Sequence, residues 1–404
     1  MVEKAKIRIL FVDDEPNILK GFKRSLRPLR SLWDMTFAPG GKQALAILEQ
    51  RPFDVVLSDM RMPEMDGSQL LEIVRRTYPG IMRIILSGHS DEDLIMKSVK
   101  SAHQFLSKPC EKQTLISAVS RAGYLNNILQ PSGLKDRLGG IECIPSLPSL
   151  YGEMMSDMDC GSESADSVGR IIEQDMGMTA KVLQLVNSSF FGIHRHRSRV
   201  REAVAFLGID IMKHLALDMN VFSRFNRALP IVGVDEIHDH CIRTAGIAKQ
   251  IAGGGKMNVK TADNAVICAF LHDIGRLLMA EYFSDQYERA IRLAGQEQMT
   301  VPEAEQAVFN VTHAEIGAYL LGLWGLPDMI VEGIAFHHSP ARAAPQNMKL
   351  AGLIHTADLI EHHVSQGESL DRCMDKIDPV FRQKQGMSEK VAQWLAIADN
   401  RVGN

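Results

Sequence analysis

Five short apolar stretches alternate with amphipathic ones over the first 128 residues, and this alternation limits the fold more than any other feature. The apolar stretches are rich in Ile, Val, Leu and Phe, and they read IRILFV, WDMTF, FDVVLS, MRIILS and HQFLS. The stretches between the first four are NILKGFKRSL, KQALAILEQ and GSQLLEIVRRTY, where apolar residues recur at helical spacing. The pattern predicts a five-stranded parallel sheet with helices on both faces.

Polar residues stand at the predicted carboxyl ends of four strands, where ligands bind in sheets of this kind. Asp13 and Asp14 follow the first strand, Asp59 the third, Ser87 the fourth and Lys108 the fifth. Carboxylates this close together need a cation, and oxygen ligands suit Mg²⁺. A lysine adds a point charge for phosphate oxygens. The pattern therefore predicts phosphoryl transfer to a carboxylate.

The motifs VDDEP, LSDMRMPEMDG, LSGHS and FLSKP closely resemble those of the receiver domain of two-component response regulators. The resemblance implies a flavodoxin-like α/β domain over 1–128, with Asp59 as the phosphoryl acceptor. It also implies a sensor histidine kinase or a phosphotransfer protein as partner. The resemblance further implies that Asp13, Asp14 and the carbonyl of Arg61 hold Mg²⁺ together with Asp59. It also implies that Ser87 and Lys108 bind the phosphoryl group and that Phe105 occupies the aromatic switch position.

The pattern changes after the last predicted helix of this domain, 111–127. The segment QPSGLKDRLGG contains proline, glycine and serine without an apolar period, which predicts a linker over 129–142. Beyond it, apolar residues recur three and four residues apart, and the alternation typical of strands is missing. We expect an all-α domain over 143–404.

The stretches QDMGMTAKVLQLVNSSFFG, AVAFLGIDIMKHLAL, HAEIGAYLLGLWGLP and FHHSP resemble the HDOD family, the HD-related output domain. The resemblance covers nearly all of 145–365, and the residues after it are expected to form a C-terminal helical extension. It implies helical packing inherited from HD phosphohydrolases and an output that acts through protein interaction. Many members of the family lack the metal ligands, so membership does not imply catalysis.

Seven residues resemble, in order, the ligands of HD-GYP phosphodiesterases: His240, His272, Asp273, His313, His337, His338 and Asp358. Imidazole and carboxylate ligands together suit Fe, Mn, Zn or Ni. Two such ions ~3.5–4 Å apart can polarise a phosphodiester and generate a hydroxide. Two departures weigh against this activity: the double histidine lacks the glycine- and tyrosine-rich loop that follows it in HD-GYP enzymes, and Arg276 replaces the usual lysine.

Composition excludes some function classes. The formal charge of −4 provides no global attraction for nucleic acid or anionic membrane, and the only short basic segment is HRHRSRVRE, 194–202. Six scattered cysteines without a CxxC pair favour reduced thiols. No apolar stretch approaches the ~18 residues that span a bilayer. We expect a cytoplasmic protein.

Two function classes remain. In the first, the chain is a response regulator in which phosphorylation of Asp59 controls an HDOD output that acts on a downstream protein, with homodimer formation as one route. In the second, the chain is a phosphorylation-gated, metal-dependent phosphodiesterase of HD-GYP type that acts on a cyclic dinucleotide. The metal content of the second domain and its hydrolase activity distinguish the two classes.

Overall fold

The computed structural model describes residues 6–88, 98–129, 132–159, 165–187, 199–208, 211–212, 215–216, 233–384 and 386–402. Within these residues five strands form one parallel sheet in the order β2-β1-β3-β4-β5. The strands are β1 (Ile7–Val12), β2 (Trp33–Ala38), β3 (Val55–Asp59), β4 (Met82–Ser87) and β5 (Gln104–Ser107). The predicted sheet is therefore confirmed.

Helices cover both faces of this sheet because the strands alternate between two apolar clusters. Ile9 and Leu57 belong to one cluster, whereas Leu10 and Val56 belong to the other, as expected for side chains that alternate along a buried strand. The helices of this half are α1 (Pro16–Ser25), α2 (Gly41–Gln50), α3 (Gly67–Thr77) and α4 (Lys112–Ile128).

The rest of the described chain is helical, apart from short connecting segments, and the predicted all-α fold of the second half is confirmed. No helix in the described part of the chain combines the length and apolar character needed to cross a membrane. The helices are α5 (Ser132–Gly139), α6 (Pro148–Asp159), α7 (Ala165–Ile172), α8 (Met176–Val186), α9 (Val200–Leu207), α10 (Val234–Gly254), α11 (Val259–Leu271), α12 (Ile274–Tyr282), α13 (Ser284–Glu297), α14 (Val301–Phe309), α15 (His313–Leu323), α16 (Asp328–Ala335), α17 (Met348–Ser365), α18 (Cys373–Lys376), α19 (Pro379–Arg382) and α20 (Met387–Val402).

The segment predicted as an irregular linker, 129–142, contains the helix α5. Leu134 and Leu138 lie four residues apart on it, and Leu138 is fully buried. This pair is too short a repeat to stand out as a helical period in the sequence. The carbonyl of Gly139, at the end of α5, accepts a hydrogen bond of 2.7 Å from the buried Arg83 guanidinium in β4. The linker is thus anchored to the sheet.

The two halves share one continuous apolar cluster and several buried polar contacts. At the start of β5, the Gln104 amide donates to the carbonyls of Leu323 (3.1 Å) and Gly322 (3.4 Å), at the end of α15. On α8, the Gln184 amide donates to the carbonyl of His103 at 3.2 Å. Strand β5 therefore lies against the helical half through hydrogen bonds with backbone carbonyls, and such bonds weaken steeply when the donor angle is lost.

Close packing of α4 against α15 requires a glycine at position 322. A Cβ atom added there would lie 2.5 Å from Cδ2 of Leu125 on α4. Gly322→Leu should therefore reduce the free energy of unfolding by roughly 1–3 kcal/mol, the usual cost of overpacking. Urea denaturation of the full chain measures this loss.

The matched control is Gly246→Leu on α10, where an added Cβ meets nothing within 4 Å. Both changes replace a helical glycine by leucine, so both gain the same helix propensity. An equal effect of the two substitutions on the unfolding free energy would show that α4 and α15 are not in close contact.

Candidate functional sites: an acidic cluster on the sheet and a histidine cluster in the helical half

The acidic cluster forms at the carboxyl edge of the sheet, where the sequence predicts it. Asp13, Asp14 and Asp59 place carboxylate oxygens within 4.8 Å of one another, as a shared cation would require. The Lys108 ammonium lies 2.6 Å from Oδ1 of Asp59 and 3.1 Å from Oδ2 of Asp13. Arg61 follows β3 by two residues and is exposed. Three oxygen ligands and one ammonium thus meet at a single point.

The electrostatics of this cluster suit an acceptor of a phosphoryl group. Burial raises the pKa of the Asp59 carboxyl, against the hydrogen bond from Lys108, which lowers it. Ser87, at the end of β4, is fully buried, and its Oγ has no hydrogen-bond partner among the described residues. Phe105 and its neighbour Leu106 point to opposite faces of the sheet, and Phe105 is buried in the apolar cluster on its face. A hydroxyl and an ammonium therefore stand ready for phosphate oxygens beside Asp59.

The turn after β3 depends on a glycine. A Cβ atom at Gly67 would lie 2.2 Å from the carbonyl oxygen of Asp59, so only glycine allows α3 to begin so close to Asp59. A capping box between Asp66 and Gln69 fixes this first turn. The backbone around Asp59 is thereby held between the strand and the helix.

The histidine cluster collects all seven predicted ligands from helices or their ends. His240 lies on α10, Asp358 on α17 and His313 at the start of α15, while the remaining ligands, His272, Asp273, His337 and His338, lie in the turns after α11 and α16. The sequence T-x-x-E marks the start of α15, because Thr312 and Glu315 form a capping box there. That cap fixes His313 in the first helical position.

Two groups of potential ligands share Asp273. In the first group, Nε2 of His240 lies 3.2 Å from Nε2 of His272 and 3.1 Å from Oδ1 of Asp358. In the second group, Nε2 of His313 lies 2.9 Å from Oδ1 of Asp273.

The second group also contains His337 and His338. Nε2 of His338 is 3.1 Å from Nε2 of His313, and Nε2 of His337 is 3.8 Å from Oδ1 of Asp273. The ligand atoms of these two histidines, His313 and Asp273 all lie within 4.8 Å of one another.

The other ring nitrogen of each central imidazole is engaged, which directs Nε2 inward. Nδ1 of His272 donates to the carbonyl of Ala269, and Nδ1 of His337 donates to that of Ile334, both at 2.7 Å. A carbonyl can only accept, so in the neutral ring the Nε2 atom carries the lone pair. Nε2 of His337 is buried without a hydrogen-bond partner among the described residues. Such a lone pair fits a metal ion.

Two buried carboxylates that the sequence analysis did not identify complete the cluster. Glu305 on α14 accepts from Nδ1 of His313 at 2.7 Å, and Glu361 on α17 accepts from Nδ1 of His240. Arg243 on α10 also donates to Glu361, at 2.6 Å. Carboxylate–histidine pairs of this kind orient metal ligands and increase their basicity. No sequence motif indicates Glu305, whereas Glu361 stands three residues after Asp358 on one helix face.

Burial and charge oppose one another in this cluster. Burial lowers the pKa of His240 and of His313, but the neighbouring carboxylates outweigh it and bring each pKa to about 10. Burial dominates at His272 and His337, where it lowers the pKa. The inner imidazoles are thus held neutral, in the form that binds metal.

A close crossing of helices brings Asp273 to His313. A Cβ atom at Gly275 on α12 would lie 1.9 Å from the carbonyl oxygen of His313, and one at Gly317 would lie 3.0 Å from the Gly275 nitrogen. The glycine of the HDIG sequence is therefore needed for the geometry of the site. Arg276, one residue further, binds Oδ2 of Asp273 at 2.9 Å. Oδ1 of Asp273 is left to face the imidazoles.

The basic segment 194–202 lies partly outside the described residues. Within its described part, Arg199 pairs with Asp263 and Glu202, and Arg201 pairs with Glu173. These exposed pairs hold the start of α9 against its neighbours.

Fold and sites together define a protein in which an α/β domain with an acidic cluster is joined to a helical domain with a histidine cluster. A model of the response regulator receiver domain matches residues 9–120, and a model of the HDOD domain matches residues 144–340. The chain therefore belongs to the response regulators that carry an HDOD output domain. A receiver domain implies a histidine kinase or a phosphotransfer protein as partner. Receiver domains usually bind Mg²⁺, and HD-type domains bind metals.

Individual relatives cover parts of the chain. An uncharacterised protein from Treponema pallidum (strain Nichols) is 24% identical over 221 residues, which is 54% of this chain and 42% of that protein. Transcriptional regulatory protein GlrR from Escherichia coli (strain K12) is 36% identical over 115 residues, 28% of this chain and 26% of that protein. The chain thus spans less than half the length of these two curated relatives.

A solved structure of a virulence factor from Campylobacter jejuni subsp. jejuni resembles the chain in fold. It covers 67% of this chain and 97% of its own, with 18% identity and a TM-score of 0.52. At this identity the similarity concerns the fold alone.

The geometry of the histidine cluster predicts that the full chain, purified without added metal or a histidine tag, contains Fe, Mn, Zn or Ni. His272→Ala should lose this metal, because His272 faces both His240 and Asp358. Elemental analysis by mass spectrometry measures the metal content.

The control is His363→Ala, a buried histidine on α17 that belongs to none of the ligand groups formed by the described residues. Equal metal content in the two variants and the unchanged protein would mean that the bound metal lies elsewhere.

Proposed function

We propose that phosphorylation of Asp59 changes how the receiver domain packs on the HDOD domain, and so controls which HDOD surface is open to a downstream protein. The observation that carries this proposal is the position of β5. Lys108, directly after this strand, binds Asp59 at 2.6 Å, while Gln104 at its other end binds the carbonyls of α15. One strand of four residues therefore touches both the acceptor and the output domain.

Phosphorylation would disturb the acceptor end of this strand directly. A phosphoryl group adds roughly −1.5 to −2 charge and three acceptor oxygens. Without a phosphoryl group, the Lys108 ammonium forms ion pairs with both Asp59 and Asp13. Its backbone nitrogen donates to the carbonyl of Ser87 at 2.7 Å. A phosphoryl group on Asp59 would draw the ammonium and the Ser87 hydroxyl toward itself. Ser87 ends β4 and Lys108 directly follows β5, so both are attached to strands of the same sheet.

A buried lysine makes the interface sensitive to such a displacement. Lys181 on α8 donates to the carbonyl of Glu142 at 2.7 Å, approaches that of Val99 at 3.5 Å and lies 4.8 Å from the Trp324 ring centre. Burial lowers the pKa of this ammonium to about 8. A buried ammonium without these acceptors is costly, so a small shift of the receiver favours its return to water.

The phosphorylation mechanism predicts a change in hydrogen exchange at the interface. Beryllofluoride with Mg²⁺, a stable mimic of the phosphoryl group, should increase amide exchange in 181–184 and 320–325 and alter the small-angle scattering curve of the full chain. These segments carry the contacts that the receiver makes with α8 and α15.

Asp59→Asn is the control, since it retains the shape of the side chain but cannot form the acyl phosphate mimic. Identical exchange and scattering with and without beryllofluoride in the unchanged protein would remove the proposed coupling.

A metal-dependent phosphodiesterase is the second candidate function, and the convergence of the seven ligands favours it. Two bound ions would polarise a phosphodiester and activate a water molecule. Asp273 is the residue common to both ligand groups. Burial lowers the pKa of His272 and of His337, which favours the neutral imidazole that binds metal.

The enzymatic candidate predicts that the full chain loaded with Mn²⁺ or Fe²⁺ hydrolyses bis-p-nitrophenyl phosphate and a cyclic dinucleotide. Asp273→Ala should abolish the rate, and His363→Ala should retain it. If protein shown to contain each metal has no hydrolase activity, the phosphodiesterase function is excluded. The control of a downstream protein then remains as the proposed function.

A further inference from the structure

We propose that His362 is an additional ligand of the ion held by His240, His272 and Asp358, and that it closes this ion against solvent. The inference rests on the metal-binding part of the proposed function and adds a residue outside the seven predicted ligands. His362 is half exposed, at 50% for its side chain, whereas Asp358 beside it is 5% exposed. It therefore stands between solvent and the buried ligands.

The distances fit a shared ion. Nε2 of His362 lies 3.3 Å from Oδ1 of Asp358, and the same oxygen lies 3.1 Å from Nε2 of His240. Two donors that each bind one ion at ~2.1 Å and at right angles are about 3.0 Å apart. The His362, His240 and Glu361 ligand atoms also fall within 4.8 Å of one another.

Helix geometry explains why His362 reaches this position. Asp358 and His362 are four residues apart on α17, so they lie on the same face of the helix. The ring of His362 stacks on that of His240, with centroids 4.7 Å apart and an angle of 23°. This stacking aligns the two imidazoles and directs both toward Asp358.

An extra histidine changes the kind of site. Structural metal sites are filled by protein ligands, whereas catalytic sites keep one position open for water or substrate. With His362 bound, the solvent-facing position of the ion is occupied by the chain itself. The site is then a closed metal centre, in which protein ligands fill every position of the ion. A phosphodiester reaches this ion only after the His362 side chain has rotated away from it.

The test uses the full chain, stripped with a chelator and titrated anaerobically with Co²⁺, whose visible absorption reports the number and type of ligands. His362→Ala should bind one Co²⁺ at least about tenfold more weakly than the unchanged protein, with altered d–d bands. His362→Gln should behave in the same way, because the amide is a poor substitute for imidazole. Val364→Ala, an exposed change on the same helix, should leave both properties intact.

Three results are distinguishable. Weaker Co²⁺ binding with changed bands in both His362 variants supports the additional ligand. Unchanged affinity and bands would overturn it and leave His362 as a surface partner of Asp358. If the unchanged protein binds neither Co²⁺ nor Mn²⁺, Fe²⁺ or Zn²⁺, the metal site of the proposed function is wrong, and the ligand role of His362 is overturned with it.

Discussion

One buried helix, α15, joins the histidine cluster to the receiver domain. Its first residue, His313, faces Asp273 in the histidine cluster, and the carbonyls of its last turn accept the Gln104 amide of the receiver. All its residues except Glu315 are buried. Ten residue steps at 1.5 Å separate the ends by about 15 Å. The helix cannot shift at one end without moving the other, because its whole surface is packed.

The packing around α15 also limits the kind of change that the proposed phosphorylation of Asp59 could cause. Close-packed interiors do not deform continuously, and they move between discrete arrangements instead. The receiver side contributes Gln104 and Leu125, and the helical side contributes Gly322, where an added Cβ atom would displace the Leu125 side chain. Buried polar groups such as Lys181 destabilise partly separated states, because they lose acceptors before they regain water. The interface is therefore suited to two states, docked and separated.

The sheet was predictable because strand periodicity and the acceptor motifs lie on the same short segments. Asp59 ends β3 and Lys108 immediately follows β5, so topology alone brings them together. Contacts between distant helices were not predictable in this way. Gln104 resembles an ordinary polar strand residue in the sequence, yet it is buried and its amide binds carbonyls at the end of α15.

In the histidine cluster too, some site residues can be predicted from their order or spacing in the sequence, and others cannot. The order of His240, His272 and Asp273 is visible in the sequence, and so is the four-residue spacing of Asp358 and His362. Glu305 was not visible, because eight residues and a turn separate it from His313. Helix α5 was not predicted within the linker 129–142, because Leu134 and Leu138 give only one helical repeat.

Helix α15 contacts both the histidine cluster and the receiver domain, so any coupling between the two is mutual. If the phosphorylated receiver changes the metal affinity at the His313 end of α15, then bound metal changes the phosphorylation equilibrium of Asp59 by the same factor. The second carboxylate of His313, Glu305, opposes large movements, since it accepts from both the ring and the backbone nitrogen. His313 would consequently shift together with α14 and not alone. Bound metal suits such a role, because the two ligand groups together draw on α10, α15 and α17 and so stabilise one arrangement of these helices over the other.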